Sequence, residues 1–490
     1  MTGAAARAAS LMAAGRAGEA ADLLLATERH GAPGALGALG AQETRLLVRA
    51  LSASGDLNAA LDRQAALVPK DIAGADQQGR ADTLAAARLA QLAQDHARAE
   101  GWARALAERD PGDIEVAGLL STLLLWSEGP EAAAAALAGV LDRPDAPPQM
   151  LAQALEYAND PDPALVARLE GLAQDTSLAD EQRGGLLLVL AQYFDRAGDA
   201  EQAWALAEKG NALLPARPVQ DWHGMLRAHL AICRATPDAP RNDGPRHAYL
   251  AGLPRSGQSL VQSLVAASPQ AASLGERGAL LQHILFRTGP IAQMPQGERA
   301  VFYAELAQAD ARGIARLPEA GEAALVLDKS PLHLPVLGSV ARIHPGAMFG
   351  AVLRDPAAMA LSIWLRNFPP VYDYANDMDR IVAQIGFALD ALEAWREEGL
   401  PIRLFEHGAL VSDPAAAGEQ VFDWLGLQWD EAYLDPAART APVATFSAAQ
   451  VRRPIGAGEV RGIAGYEAQL APWADRFAAL RERTAALIAG

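Results

Sequence analysis

The stretch Gly252-Leu253-Pro254-Arg255-Ser256-Gly257-Gln258-Ser259 carries two glycines five positions apart and a hydroxyl two places after the second. This is the frame of a loop that wraps a phosphate with backbone N–H groups. A nucleoside triphosphatase places lysine directly after the second glycine; here the residue is Gln258, and an arginine, Arg255, stands in mid-loop instead. The apolar run "HAYLAGL" (247–253) precedes it and "LVQSLVAAS" follows, with Leu260, Val261, Leu264 and Val265 on one helical face. The loop therefore joins a strand to a helix N-terminus, where free N–H groups and the helix dipole attract an anion.

Three further apolar runs, "AALVLD" (323–328), "AMFGAVLRD" (347–355) and "PIRLFE" (401–406), are bounded by Gly, Pro or charge and followed by helical segments. They read as buried strands of a parallel α/β sheet, whose ligand sites lie beyond the carboxyl ends of the strands. Unusual polar residues stand at those ends. "LDKSP" places Lys329 after one strand, "VLRDP" places Arg354 after another with Ser362 on the next helix, and "SLGERGAL" offers Glu276 and Arg277.

Upstream, residues 5–235 read as short alanine- and leucine-rich helices. Each opens on an acidic or polar start after a glycine, as in "SASGDLNAALDRQAALVP" (52–69) and "FDRAGDAEQAWALAEKGNALLP" (194–215). The turn glycines Gly55, Gly129 and Gly198 are spaced by 74 and 69 residues, close to twice the period of about 34 of a tetratricopeptide repeat. The expected organisation is a helical repeat domain over 1–235, a proline-bearing linker over 236–246 and an α/β domain over 247–490. That division agrees with the roughly two to four domains a 490-residue chain allows.

Composition bounds the partners. A formal charge of −17 argues against a nucleic-acid backbone as ligand, so any anion must be held by a local cluster of cations. The single cysteine, Cys233, excludes an intrachain disulfide. The first residues lack a signal-peptide core and no apolar run approaches the about 18 residues of a membrane span, so a cytoplasmic protein is expected. The nine histidines show no metal-ligand spacing, and His333 and His344 are expected in the core or on the surface.

The segments "HAYLAGLPRSGQSLVQSLVAASPQ", "GER", "LDKSPLHLPVLGSVARIHPGAMFGAVLRDPAAMALSIWLRNF" and "TFSAAQVRRPIGAG" together resemble the sulfotransferase family. The likeness is to bacterial sulfotransferases with N-terminal tetratricopeptide repeats and to their tyrosylprotein sulfotransferase relatives. It implies an α-solenoid followed by a P-loop-like α/β sulfotransferase domain, with 3′-phosphoadenosine 5′-phosphosulfate as donor and no metal. By this resemblance Arg255, Ser256, Gly257, Gln258 and Ser259 form the 5′-phosphosulfate loop, and Arg354 and Ser362 bind the 3′-phosphate. Ser447 belongs to a C-terminal cofactor segment, Glu276 is the general base, and Lys329 assists the leaving group. The implied acceptor is a hydroxyl, with tyrosine of a peptide or protein presented by the repeats as the first expectation and self-association through the solenoid compatible with it.

The chain departs from the family at Gln258 and Ser259, where two threonines are usual, at Phe405, where tyrosine is usual, and across 458–463. These departures motivate the alternative of a non-catalytic repeat scaffold with a degenerate nucleotide-binding domain. A kinase is disfavoured by the missing loop lysine.

Overall fold

A computed structural model of the chain describes residues 3–489 apart from 15, 30–38, 55, 159, 242–243, 277, 318–319, 321–322 and 436–461. The chain forms two compact units, one of Met1–Glu128 with Ala132–Ala146 and one of Gly129–Glu131 with Pro147–Gly490.

In the first unit the described regular structure is helical, and the seven helices from Gly3–Ala13 to Ile114–Ser127 pack each against the next. Of the acidic starts read from the sequence, Asp56 is an N-cap that accepts from the Ala59 N–H, and further caps are Asp95, accepting from Arg98, and Asp113, accepting from Glu115 and Val116. Each satisfies an N–H that the first helical turn leaves without a partner. Alanines at 60, 86, 87, 90, 99 and 103 are buried at the contacts, so the backbones approach closely. Asp82 adds a polar tie, taking the Arg45 guanidinium on both oxygens at 2.8 and 2.5 Å while its carbonyl accepts from Gln64 Nε2 at 2.9 Å. The Arg45 hydrogen bonds hold the Asp82 carboxyl below its ordinary pKa.

The second unit is built on five parallel strands: β1 (Arg246–Ala251), β2 (Ala271–Ser273), β3 (Leu325–Lys329), β4 (Met348–Leu353) and β5 (Ile402–Glu406), in the order β2-β3-β1-β4-β5. Leu250 lies opposite Lys329 and Ala251 opposite Ala351, which fixes the register at the carboxyl ends. Side chains alternate between two cores. Tyr249, Ala251, Phe349 and Ala351 face one, and Leu250, Leu325, Leu327 and Val352 face the other with Val261, Leu264 and Val265 of the helix Gln258–Ala266. From β1 the chain crosses to the β2 edge, and from β4 to the β5 edge. The adjacent ends of β1 and β4 are therefore the point where the winding reverses, which is where such sheets bind ligands.

The boundary by packing falls at 146/147 rather than at 235. The helices Asp180–Ala197, Ala200–Leu213 and Trp222–Ala235 are bonded to the region after β4: Asn211 Nδ2 donates to the Trp364 carbonyl at 2.9 Å and Trp222 Nε1 to Asp373 at 2.9 Å. The expected linker is also held, since the Ala239 N–H donates to the Arg342 carbonyl at 2.7 Å. Helical periodicity is the same on both sides of residue 146 and does not say which helices pack on the sheet. Gly129 and Gly198 do adopt left-handed backbone at turns (φ 103° and 89°), whereas Gly55 lies outside the described residues. Among the described residues no helix is long and apolar enough to cross a membrane.

His229 joins four elements of this unit. Its Nδ1 lies 2.6 Å from Ser339 Oγ and its Nε2 3.0 Å from Thr288 Oγ1. Tyr303 donates to Ser339 at 2.8 Å, and Thr288 to the Leu285 carbonyl at 2.8 Å. The chain of donors runs through with a neutral imidazole protonated at Nε2, whose Nδ1 accepts from Ser339; an imidazolium would take that acceptor away from the serine O–H. Burial pushes His229 down to about 4. The unfolded side chain takes its proton near 6.5 and the folded one only near 4, so stability is lost as pH falls through that window. In denaturant unfolding, His229→Gln is expected to be less stable than wild type at pH 7.5, and the gap to shrink by about 3 kcal/mol on acidification to pH 4. A gap independent of pH would contradict the neutral assignment.

Candidate functional site

The loop after β1 depends on backbone that most residues avoid. Gly252 and Gly257 have φ of +141° and +112°; a Cβ at Gly257 would stand 2.5 Å from His407 Cδ2, and one at Gly252 would stand 2.8 Å from Gln258 Nε2. Arg255 itself sits at φ +69°, a left-handed conformation that costs a non-glycine residue free energy and marks a functional constraint. The turn throws the Arg255 side chain toward the helix after β4, where its Nε donates to Ser362 Oγ at 2.9 Å. Arg354 Nη1 donates to the Arg255 carbonyl at 2.9 Å. Asp355 caps the helix Pro356–Trp364 by accepting from the Ala358 N–H at 2.9 Å and pairs with Arg481 at 2.5 Å. The capping carboxylate is thus engaged elsewhere, and Arg354 faces the loop.

A third guanidinium belongs to this group. Burial pushes Arg255 well below its ordinary pKa, and the charges of Arg366 and then Arg354 push it further. Arg354 falls to about 10, through burial opposed by Asp355 and aided by Arg366. His407, under the loop, is held down to about 4 by burial and then by the same two arginines, Arg354 and Arg255. Arg366, which sequence reasoning missed, donates to Gln192 Oε1 from the helical arm. Its signal was available, one helical turn beyond Ser362, but it lies past the helix end and reads there as an ordinary surface charge.

The other end of the loop meets a different pair. The chain beyond β2 continues alongside β3: the Leu274 N–H donates to the Leu327 carbonyl at 2.8 Å and the Lys329 N–H to the Gly275 carbonyl at 2.9 Å. That pairing sets Glu276 beside Lys329, and the two form an ion pair. Lys329 is buried, and its Nζ lies 3.4 Å from Ser259 Oγ. Ser330 and Pro331 turn the chain away at once into a short 3-10 helix, so the lysine stays at the strand end. Tyr372, also absent from the sequence reading, is buried, and its hydroxyl is raised in pKa first by burial and then by the charge of Glu276. Its segment is clamped by Arg217, which donates to the carbonyls of Phe368 (2.6 Å) and Tyr372 (2.7 Å), and by Asp373, which accepts from Gln220, Trp222 and Arg380.

One eight-residue loop thus spans two clusters, Arg255, Arg354, Ser362 and Arg366 at one end and Ser259, Lys329 and Glu276 at the other. The residues fit a polyanion. Ser256 Oγ, Gln258 Nε2 and Arg354 Nε are buried without a hydrogen-bond partner among the described residues, and the Arg255 guanidinium, disfavoured by Arg366 and Arg354, gains from an anion beside it. Gln258 is buried, with its Nε2 in the space a side chain on Gly252 would need. Ser447, Arg277 and positions 458–461 lie outside the described residues.

Residues 248–431 match the sulfotransferase family model. An uncharacterised protein of Aquifex aeolicus (strain VF5) is 22% identical over 330 residues, which cover 62% of this chain and 42% of that protein, so the chain spans about two fifths of the relative's length. Among solved structures, sulfotransferase STF9 from Mycobacterium avium aligns over 58% of this chain and 87% of its own, at 13% identity and a TM-score of 0.28. Sulfotransferase STF1 from Mycobacterium tuberculosis H37Rv aligns over 61% and 99%, at 14% identity and a TM-score of 0.27. The family match runs from β1 to beyond β5, so the parallel sheet region of this chain is sulfotransferase-like over 248–431.

Proposed function

We propose that the protein transfers a sulfuryl group from 3′-phosphoadenosine 5′-phosphosulfate to an acceptor hydroxyl. The observation that carries this reading is the convergence, at the two ends of one phosphate-type loop, of an arginine cluster and a lysine–glutamate pair. Arg354, Ser362 and Arg366 would hold the 3′-phosphate end, joined by Arg255, which turns to Ser362 instead of serving the 5′ end expected of it, and the loop N–H groups with Ser256, Gln258 and Ser259 would hold the 5′ end. When bound, the donor supplies a sulfuryl group whose S–O bond to phosphate breaks as a new S–O bond to the acceptor oxygen forms.

The protein's own part is proton and charge management. Glu276 takes the acceptor's hydroxyl proton, and Lys329, beside Ser259, balances negative charge on the departing oxygen. The lysine that a triphosphatase loop supplies is replaced in space by Lys329, which reaches the loop from β3 rather than from within it. Tyr372, in electrostatic reach of Glu276, forms part of the acceptor side. Tyrosine in a peptide or protein is the proposed acceptor, with the helical region as the surface that engages it.

Incubation of the full chain with sulfur-labelled donor and tyrosine-bearing peptides tests this directly. Glu276→Gln and Lys329→Met are expected to lower kcat by about 10²- to 10⁴-fold while the melting temperature is kept. Full activity in both variants would remove these roles, and a protein that binds peptides without transfer would favour the scaffold reading. Gly257→Ala should abolish donor binding, since its Cβ meets His407 and its φ is unfavourable to alanine; wild-type affinity in that variant would show the loop to be uninvolved.

A further inference from the structure

At the opposite end of the sheet from the loop, three residues far apart in sequence come together. His247 stands at the start of β1, Asp310 in the helix Gln296–Ile314, and His344 directly after the helix Leu337–Ile343, before β4. Each offers one ligand atom, and the three atoms lie within 4.8 Å of one another. We propose that His247, Asp310 and His344 bind one divalent metal ion of the zinc class.

Asp310 and His344 are buried, at 7% and 5% exposure. His344 Nε2 lies 3.3 Å from Asp310 Oδ2 yet has no hydrogen-bond partner among the described residues, so the two groups are close without being aligned on each other. A separation of 3.3 Å is that of two ligands each about 2.1 Å from a tetrahedral ion. The His247 and His344 rings stack at 4.0 Å with planes 20° apart, and Tyr249 lies beside both, at 6.2 and 6.1 Å. His247 is half-buried, and its ring has to turn out of the stack with His344 for its in-plane nitrogen lone pair to meet the ion. Two imidazoles and a carboxylate suit zinc and its first-row neighbours.

The site is separated from the loop by the length of β1, about 17 Å, so it takes no part in transfer. It joins the start of β1, the long helix and the turn into β4, and a bound ion would staple them.

The test uses the full chain, stripped with chelator and dialysed against micromolar zinc, with metal analysis, calorimetric titration and the absorption spectrum of the cobalt-substituted protein. One zinc per chain is expected, with a higher melting temperature than the stripped protein. His344→Ala and Asp310→Asn should lose it, and His247→Ala should bind at least about tenfold more weakly. A wild-type chain that stays zinc-free, or zinc retained equally in the variants, would overturn the site. Should His344→Ala or Asp310→Asn fail to fold, His247→Ala, altered at a half-buried position, decides the matter by the same readouts.

Discussion

The charge of Arg366 and Arg354 acting on the buried Arg255 is the constraint around which the sheet unit is arranged. Burial alone disfavours a guanidinium charge, and here Arg366 acts against both Arg255 and Arg354, and Arg354 against Arg255, in a chain whose net charge is −17. The fold tolerates the arrangement because each arginine is tied down locally, Arg255 by Ser362, Arg354 by the Arg255 carbonyl and Arg366 by Gln192. Carboxylates act on two of the three: Glu156 and Asp195 favour the charge of Arg366, and Asp355 that of Arg354. A phosphate entering the cluster would convert repulsion into charge-assisted hydrogen bonds, so binding free energy comes from relieving a cost already present in the folded protein.

The rest of the site follows from where the loop begins and ends. Parallel pairing of β1 with both β3 and β4 brings three strand ends to one edge, and the reversal of winding between β1 and β4 opens the crevice there. The two glycines let the chain fold back tightly enough for Arg255 to reach the helix after β4 while Ser259 reaches Lys329. Helices of 180–235 serve the same end, since Asn211, Arg217 and Trp222 fix the segment 364–373 that carries Arg366 and Tyr372.

Much of this was legible in the sequence because strand ends announce themselves. Lys329 and Arg354 each follow a short apolar run and precede a proline-marked turn, and both stand where that pattern places them. β2 was not legible, being only Ala-Ala-Ser. The Glu276–Lys329 pair depends on β2 continuing along β3 through main-chain bonds, which side-chain patterns do not record. Arg366 and Tyr372 lie in irregular backbone held by long-range contacts. The same is true of His247, Asp310 and His344, whose spacing matches no motif and which only the packing of a helix against the sheet brings together.

The most direct measurement is the thermal stability of wild type and Arg354→Ala titrated with adenosine 3′,5′-bisphosphate, beside ADP and ATP with magnesium. At 100 times its Kd the 3′-phosphorylated nucleotide should stabilise the wild type by about 2.7 kcal/mol. ADP and ATP should give little, and the response should vanish in Arg354→Ala. Equal responses to all three nucleotides, or no response in a protein that melts cooperatively, would contradict an arginine cluster built for the 3′-phosphate.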